Sequence, residues 1–447
     1  MSEAVRGGLL RRHRDFRLLW CSETAGKFGA SLTGVATPLA AVSTLHASTF
    51  EVGVLTAAAW LPWLVIGLPV GVWVDRLRRR PIMLTAAALS VPPFAGVPIA
   101  ARFGWLSVGL LLAVALLTGT AAVFFQTAYT AYLPSILEPV DQPEGNAKLQ
   151  GSASAAQIAG LGSGGLIAQV AGAVNGMFVN AATFLISFLC LSGIRHRESR
   201  VTGPERRPRA LVGEVGEGLR LVAGDPWLRT LTLFGATSNV ALMGYQSIQV
   251  VFLVRGVGLA SGGVGVLIAA AGAGGVVGAF VARGVARRIG TARALLVFEL
   301  GLSTLALLIP LTVGGAGVLL YLAGGCSVSA GVVAGNVIKA SFQQRYCPPE
   351  LLGRLTASAA FLNYGAIPLG ALLGGVLGTV FALRTAMAVT TAGVPLAGLI
   401  LLFSPIRRSR DFPTSRPPTA GPGAVPAPAG EPFSGVRSAS RAPGANP

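Results

Sequence analysis

Charge is scarce in this chain of 447 residues, and acidic charge is scarcest. Asp, Glu, Lys and Arg together make up 12% of it, where soluble domains carry about 25%. Asp and Glu number 17 against 35 Lys and Arg, which leaves a net charge of +18. Cysteine is scarce too. Cys21, Cys190, Cys326 and Cys347 are the 4, three of them in apolar runs and none in a Cys-x-x-Cys pair. That argues against a disulfide or zinc framework. The 3 histidines, His13, His46 and His196, lie in polar flanks or loops, too few for a His-rich metal centre. There is no Gly-x-x-x-x-Gly-Lys-Ser/Thr run, so ATP drive by this chain is not expected. No cofactor and no metal are expected.

What the chain has in plenty is apolar sequence: 52% of its residues are hydrophobic and its mean hydropathy is +0.66. That excludes most soluble enzymes and intrinsic disorder. A nucleic-acid partner would need a basic stripe on a water-soluble domain, so the place of the arginines decides that question. A membrane helix needs about 20 mostly apolar residues. Twelve such runs can be traced, at about 17–42, 52–74, 82–101, 105–131, 148–171, 174–194, 227–254, 262–282, 294–313, 315–340, 355–378 and 386–403. The fifth and tenth are rich in Gly, Ser and Ala. The first is too long for a signal-peptide core and carries Glu23 and Lys27, so it is expected to stay in the mature chain. The expected fold class is an all-α integral membrane protein with twelve transmembrane helices.

The basic residues fall in alternate segments. Arg6, Arg11, Arg12, Arg14 and Arg17 precede or open helix 1. Arg76, Arg78, Arg79 and Arg80 follow helix 2, and Arg283, Arg287, Arg288 and Arg293 follow helix 8. Seven arginines from Arg195 to Arg220 occupy the central loop, and Arg407, Arg408 and Arg410 open the tail. The intervening loops hold at most one each: Arg102, Arg255 and Arg384. This is the positive-inside pattern, with both termini cytoplasmic. The loop after helix 4 departs from it, with Glu138, Asp141 and Glu144 against Lys148, but acidic residues weigh little in topology. The excess of positive charge therefore faces a membrane surface, and no nucleic acid is expected. The chain divides into a cytoplasmic N-terminus (1–16), a six-helix half (17–194), a cytoplasmic loop (195–225), a second six-helix half (226–403) and a tail (404–447). The tail, rich in Pro, Gly, Ala and Ser, is expected to be disordered.

A shift of 212 residues lays one half on the other. Val52-Gly53-Val54-Leu55 falls on Val264-Gly265-Val266-Leu267, Asp75-Arg76-Leu77 on Arg287-Arg288-Ile289, and Arg17 on Arg229. A shift of 214 lays Tyr132-Leu133-Pro134 on Tyr346-Cys347-Pro348. Two parallel six-helix repeats form a transporter architecture with its site near the midplane between them. Between helices 2 and 3 stands Gly71-Val72-Trp73-Val74-Asp75-Arg76-Leu77-Arg78-Arg79-Arg80. It resembles the Gly-x-x-x-Asp-Arg/Lys-x-Gly-Arg-Arg/Lys motif of the major facilitator superfamily. Gly71, Asp75, Arg76, Arg79 and Arg80 match. Arg78 stands where the family has Gly, and Gly290 holds the equivalent place in the second half. Asp15-Phe16-Arg17-Leu18-Leu19-Trp20, with Tyr132-Leu133-Pro134 and Asn146-Ala147, is similar to the drug and siderophore exporter branch, which includes macrolide efflux pumps and the enterobactin exporter. The resemblance covers about residues 14–405. It implies the major facilitator fold, a cavity lined by helices 1, 4, 7 and 10, and helices 3, 6, 9 and 12 outside it.

Charges inside the apolar runs are the candidates for function. Glu23 and Lys27 lie four apart on one face of helix 1 and can pair, with Glu23 about 10 Å along the helix. Ionisable groups at such depth face the bundle interior or a wet cavity. Two readings stand: Glu23 takes a proton or a cationic substrate group with Lys27 tuning it, or the two are a structural pair. Lys339, with Asn336 a turn earlier on helix 10, either meets an anionic substrate group or snorkels to the cytoplasmic surface, and snorkelling is the favoured reading. Gln126 and Tyr129 on helix 4 and Asn239, Gln246 and Gln249 on helix 7 offer hydrogen bonds to a substrate or between helices. Glu299 is expected to pair with Arg287, Arg288 or Arg293 at the cytoplasmic surface. Asp75 among its arginines reads as a conformational latch, since a carboxylate adds nothing to topology. The alternative is that the arginines merely hold the loop inside. Gly160-x-x-x-Gly164, Gly274-x-x-x-Gly278 and Gly370-x-x-x-Gly374-x-x-x-Gly378 allow close helix approach.

These features together lead to the expectation of a secondary transporter of the inner or plasma membrane, not an enzyme, embedded in lipid and working as a monomer. The resemblance implies proton-coupled export of an amphiphilic small molecule by alternating access. An importer or lipid translocator of the same fold is the alternative. A membrane sensor or enzyme fits less well, because the apolar runs hold too few convergent acids and bases.

Overall fold

The computed structural model describes residues 8–196, 198, 216, 219, 220, 222–347 and 349–413, with backbone alone for 68, 72, 75, 349–354, 356 and 357. Twelve long helical segments follow one another among them. The first six are α1 (Arg14–Ser43), α2 (Thr49–Arg76), α3 (Arg79–Arg102), α4 (Val108–Ile136), α5 (Gln142–Ala171) and α6 (Gly176–Ser192). The second six are α7 (Pro226–Val251), α8 (Ser261–Ile289), α9, α10 (Val318–Tyr346), α11 (Pro349–Val380) and α12 (Leu383–Leu402). α9 is irregular: α-helical over Thr291–Leu296, π over Val297–Leu302 and 3-10 over Ser303–Leu311. Eight segments are long and apolar enough to cross a membrane. Of the others, α1 carries Glu23 and Lys27, α5 is rich in Gly and Ser, α7 is more polar, and α6 has only 17 residues. Side chains mark several starts: Ser48 and Glu51 form a capping box on α2, and Ser107 and Asp225 cap α4 and α7.

Packing repeats between the halves. α1 lies on α5 and α6, α2 on α4, and α3 on α4 and α6; correspondingly α7 lies on α11 and α12, α8 on α10, and α9 on α10 and α12. The halves meet through α2 with α11 and α5 with α8. Both seams close on glycine. A Cβ on Gly53 would come 2.8 Å from Gly375 Cα, and one on Gly165 would come 2.5 Å from Gly265 Cα. Gly53 and Gly265 are the residues that the 212-residue shift superposes. A second match, at 210, escaped the sequence comparison: Gly160, Gly164 and Gly165 fall on Gly370, Gly374 and Gly375. Gly160 and Gly164 seat α5 against the α1 backbone at Phe28 and Leu32, and Gly370 and Gly374 seat α11 against α7 at Val240 and Gly244. These glycines serve close packing.

The core is joined at one end of the molecule and divided at the other. Leu32, Leu39, Val52 and Leu55 pack in one cluster with Leu242, Ile248, Phe252 and Val264 of the second half. Arg255 crosses the same end, donating to the carbonyls of Ala47 at 2.8 Å and Val42 at 3.4 Å. At the end where α1 begins and α12 finishes, Phe16, Met83, Tyr132 and Leu191 form a cluster within the first half. Phe234, Leu295, Phe342 and Leu401 form another within the second.

One expectation about the end of the second half changes. Disorder was expected from residue 404, yet Pro405–Arg408 is a 3-10 turn and Ile406 and Phe412 are buried. The Phe412 ring stacks on Phe342 at 4.6 Å, so an apolar anchor holds a stretch whose composition reads as polar. The rest of the tail, 414–447, and most of 195–225 lie outside the described residues. Arg78 replaces the family glycine without distortion, at φ −66° and ψ 128°. Gly290 has φ 96° and lies against the Arg410 backbone, where a side chain would not fit. The first half makes this turn in a conformation open to any residue; the second does not.

Candidate substrate and coupling site

Helical spacing brings Glu23 and Lys27 to one side of α1. Lys27 Nζ lies 3.4 Å from Glu23 Oε1 and donates to Gln126 Oε1 on α4 at 3.1 Å. The Glu23 side chain is 7% exposed and that of Lys27 is 41% exposed. The carboxylate is thus withdrawn while its ammonium partner remains open to whatever fills the space beside it. Tyr129, buried one turn beyond Gln126, lies within electrostatic reach of Glu23. Three of the expected residues, Glu23, Lys27 and Gln126, therefore form one connected group, with Tyr129 beside it.

The remaining candidates sit elsewhere in the second half. Asn239 of α7 donates to the carbonyl and side-chain oxygens of Asn363 on α11, each at 3.3 Å. Gln249 accepts from the Tyr321 hydroxyl of α10 at 2.9 Å. Gln246 is half-buried on α7, and Asn336 is exposed on α10.

Lys339 and Glu299 depart from expectation together. Lys339 does not snorkel, and Glu299 is not paired with Arg287, Arg288 or Arg293. They pair with each other: Lys339 Nζ lies 3.2 Å from Glu299 Oε1, with side chains 17% and 4% exposed. The ammonium also stands 5.0 Å from the Phe234 ring centre. The reason is local. Gly335, one turn before Lys339, has no side chain where the Glu299 carboxylate lies against α10. Glu299 itself sits in the π-helical stretch of α9, a feature common at functional sites.

The loop between α2 and α3 was expected to act as a latch. Here Arg79 and Arg80 anchor it within the first half. Their backbone N–H groups donate to Glu198 Oε2 at 2.7 and 3.3 Å, so a carboxylate meets the positive end of α3. The Arg80 guanidinium donates to the carbonyls of Leu191 and Ser192 at 3.1 and 2.7 Å. Gly71 is half-buried with open space where a Cβ would stand, and Arg76 is exposed. The Asp75 side chain lies outside the described residues. Sequence reasoning missed the carboxylates that hold these ends. Glu198 meets the start of α3, and Asp411 accepts from Thr291 N at 2.8 Å at the start of α9. Asp15 accepts from the backbone N–H groups of Arg195 and His196 at 3.2 and 2.8 Å. Asp225 accepts from the Tyr346 hydroxyl at 2.7 Å. The near-constant spacing of Asp15 to Asp225 and Glu198 to Asp411 was the available signal. At the start of α5, before its apolar run, Glu144 accepts from Leu9 N at 3.2 Å, which holds its carboxyl below the usual range.

The Major Facilitator Superfamily profile matches residues 19–369. The chain belongs to this superfamily. As a superfamily transporter it is a multi-pass cell-membrane protein with a small-molecule substrate, and it is not an enzyme. It is 27% identical over 422 residues to the multidrug efflux pump Tap of Mycolicibacterium fortuitum, covering 92% of this chain and 99% of that one. It is 24% identical over 423 residues to the enterobactin exporter EntS of Salmonella typhi, covering 91% and 96%. In fold it resembles the nucleoside transporter NupG, with a TM-score of 0.73 at 9% identity, covering 87% of this chain and 99% of that one. It also resembles a bacterial homologue of ferroportin in an inward-facing state, with a TM-score of 0.70 at 14% identity, covering 89% and 99%.

Proposed function

We propose that this transporter exports amphiphilic small molecules in exchange for protons, and that Glu23 carries the coupling proton. The observation that carries the reading is a withdrawn carboxylate whose partner, Lys27, is exposed and shared with Gln126. A carboxylate so placed must be paired or protonated, because leaving it charged and alone costs several kcal/mol. A proton and a cationic or donor group of the substrate then compete for one carboxylate, which is the condition for exchange. Tyr129, Asn239, Gln246, Asn336 and the Lys339 pair supply further polar groups around the path. The likeness to proteins named as a multidrug efflux pump and an enterobactin exporter supports export and an amphiphilic substrate.

The arginine distribution supports a cytoplasmic position for both termini. The joined cluster then seals the outer end, and the divided clusters flank an inward opening. The halves, 17–194 and 226–403, rock as bodies about the Gly53–Gly375 and Gly165–Gly265 contacts. Gly71, Asp75, Arg76, Arg79 and Arg80 form the latch that holds the cytoplasmic end in the opposite state, and the monomer is the working unit. Cells producing the protein are expected to accumulate less ethidium, a lipophilic cation, than cells without it, and an uncoupler should abolish the difference. Greater accumulation in producing cells would overturn the direction. Unchanged transport in Asp75→Asn would remove the latch.

A further inference from the structure

A cleft of about 970 Å³ lies between α1, α5 and α6 of the first half, and neither Glu23 nor Lys27 is among its walls. Cys21 and Phe28 of α1, Ala155 and Ala159 of α5, and Ala182 and Ile186 of α6 are among its walls. The lining is almost wholly apolar, and small side chains on α5 and α6 give it depth. It is bordered by the lipid-facing surface of these helices, where Leu166, Leu185, Ile186 and Leu189 are exposed at 46–57%. Water does not fill such a space stably, and a hydrocarbon chain does.

The cleft has one polar end. Lys148, at the start of α5, lines it there. Arg17 is exposed one turn of α1 before Cys21, on the same helical face. Among the described residues the carboxylate paired with Lys148 is Glu144, 3.5 Å from Lys148 Nζ and also held by Leu9 N. Two cations against one engaged carboxylate leave a positive rim at the level where headgroups lie. The rim is not a product of the repeat, since at the shift of 210 Lys148 falls on Ser358 and Ala159 on Leu369.

We propose that this cleft binds one anionic glycerophospholipid of the leaflet on the side of the chain termini. An acyl chain fills the space between α1, α5 and α6, and the phosphate lies on Lys148 and Arg17. The site is separate from the transport path. It bears on transport because α5 also carries Gly165, one of the two contacts on which the halves meet.

Native mass spectrometry of the purified full-length protein, titrated with dioleoylphosphatidylglycerol or dioleoylphosphatidylcholine, tests the site. Wild type is expected to hold one phosphatidylglycerol at least tenfold more tightly than phosphatidylcholine. Ala159→Phe with Ala182→Phe, both at exposed positions, fills the cleft and should lower phosphatidylglycerol occupancy tenfold or more, with the unfolding midpoint unchanged. Arg17→Gln with Lys148→Gln should leave a bound lipid but erase the preference between headgroups. Equal binding of the two lipids by wild type, or full occupancy in the phenylalanine variant, would overturn the proposal. So would displacement of the lipid by glycerol 3-phosphate at the same concentration, which would make the site one for free phosphate esters.

Discussion

Lys339 and Glu299 form the more deeply withdrawn of the two charge pairs, and their energetics reflect that. Removing one member of a buried pair leaves a charge that neither lipid nor protein solvates, at a cost of about 3–5 kcal/mol. Lys339→Met is therefore expected to lower the chemical-unfolding stability of the detergent-solubilised protein by about that amount, and Lys339→Met with Glu299→Gln should recover most of it. A snorkelling lysine would predict no effect from either change. The sequence shows both residues but not the pairing. They are 40 positions apart on neighbouring helices, and the space that admits the carboxylate exists only because Gly335 lies opposite it. Glu23 and Lys27 were legible because one helix fixes their geometry. Gln126 as the third member was visible only as a polar residue on the right helix.

At the level of helices, glycine positions decide how closely the elements approach. Gly53 touches α11 backbone, whereas Gly71 has open space around the place of its Cβ. Gly53→Val is expected to cut transport at least tenfold by forcing α2 and α11 apart. Gly71→Val should leave the unfolding midpoint unchanged, since this state has room for the side chain, yet lower transport through the latch of the opposite state; transport is read as initial efflux rates at matched protein levels. If Gly71→Val keeps full transport, Gly71 is not part of the latch. Eight of the twelve helices were legible because their runs are long and apolar, and the start of the tail was misread because two buried side chains, Ile406 and Phe412, outweigh its composition. A chain ended after 413 should match wild-type stability. One ended after 403 should lose about 1.5–3 kcal/mol for each buried side chain removed, read as a lower unfolding midpoint.

Across the whole molecule, the arginines carry the proposed orientation and the apolar clusters describe a state. Both were open to reading in unequal measure. Charge bias along the sequence supports a topology directly, but which end of the bundle is joined depends on contacts between residues some 200 positions apart, which no local pattern encodes. A cysteine introduced at 78 should resist impermeant maleimide applied to intact cells and react once the membrane is opened; labelling from outside would reverse the topology. Spin labels paired across the halves should separate at the joined end and approach at the divided end when substrate and pH are changed.

In the proposed exchange, Glu23 links proton movement to transport. Proteoliposomes loaded with ethidium and given a pH gradient test it most directly. Wild type should drive ethidium against its concentration gradient when the pH gradient is imposed. Glu23→Gln should lose that response at least tenfold while still exchanging ethidium for ethidium at equal pH. A Glu23→Gln protein that keeps full gradient-driven transport would contradict the claim.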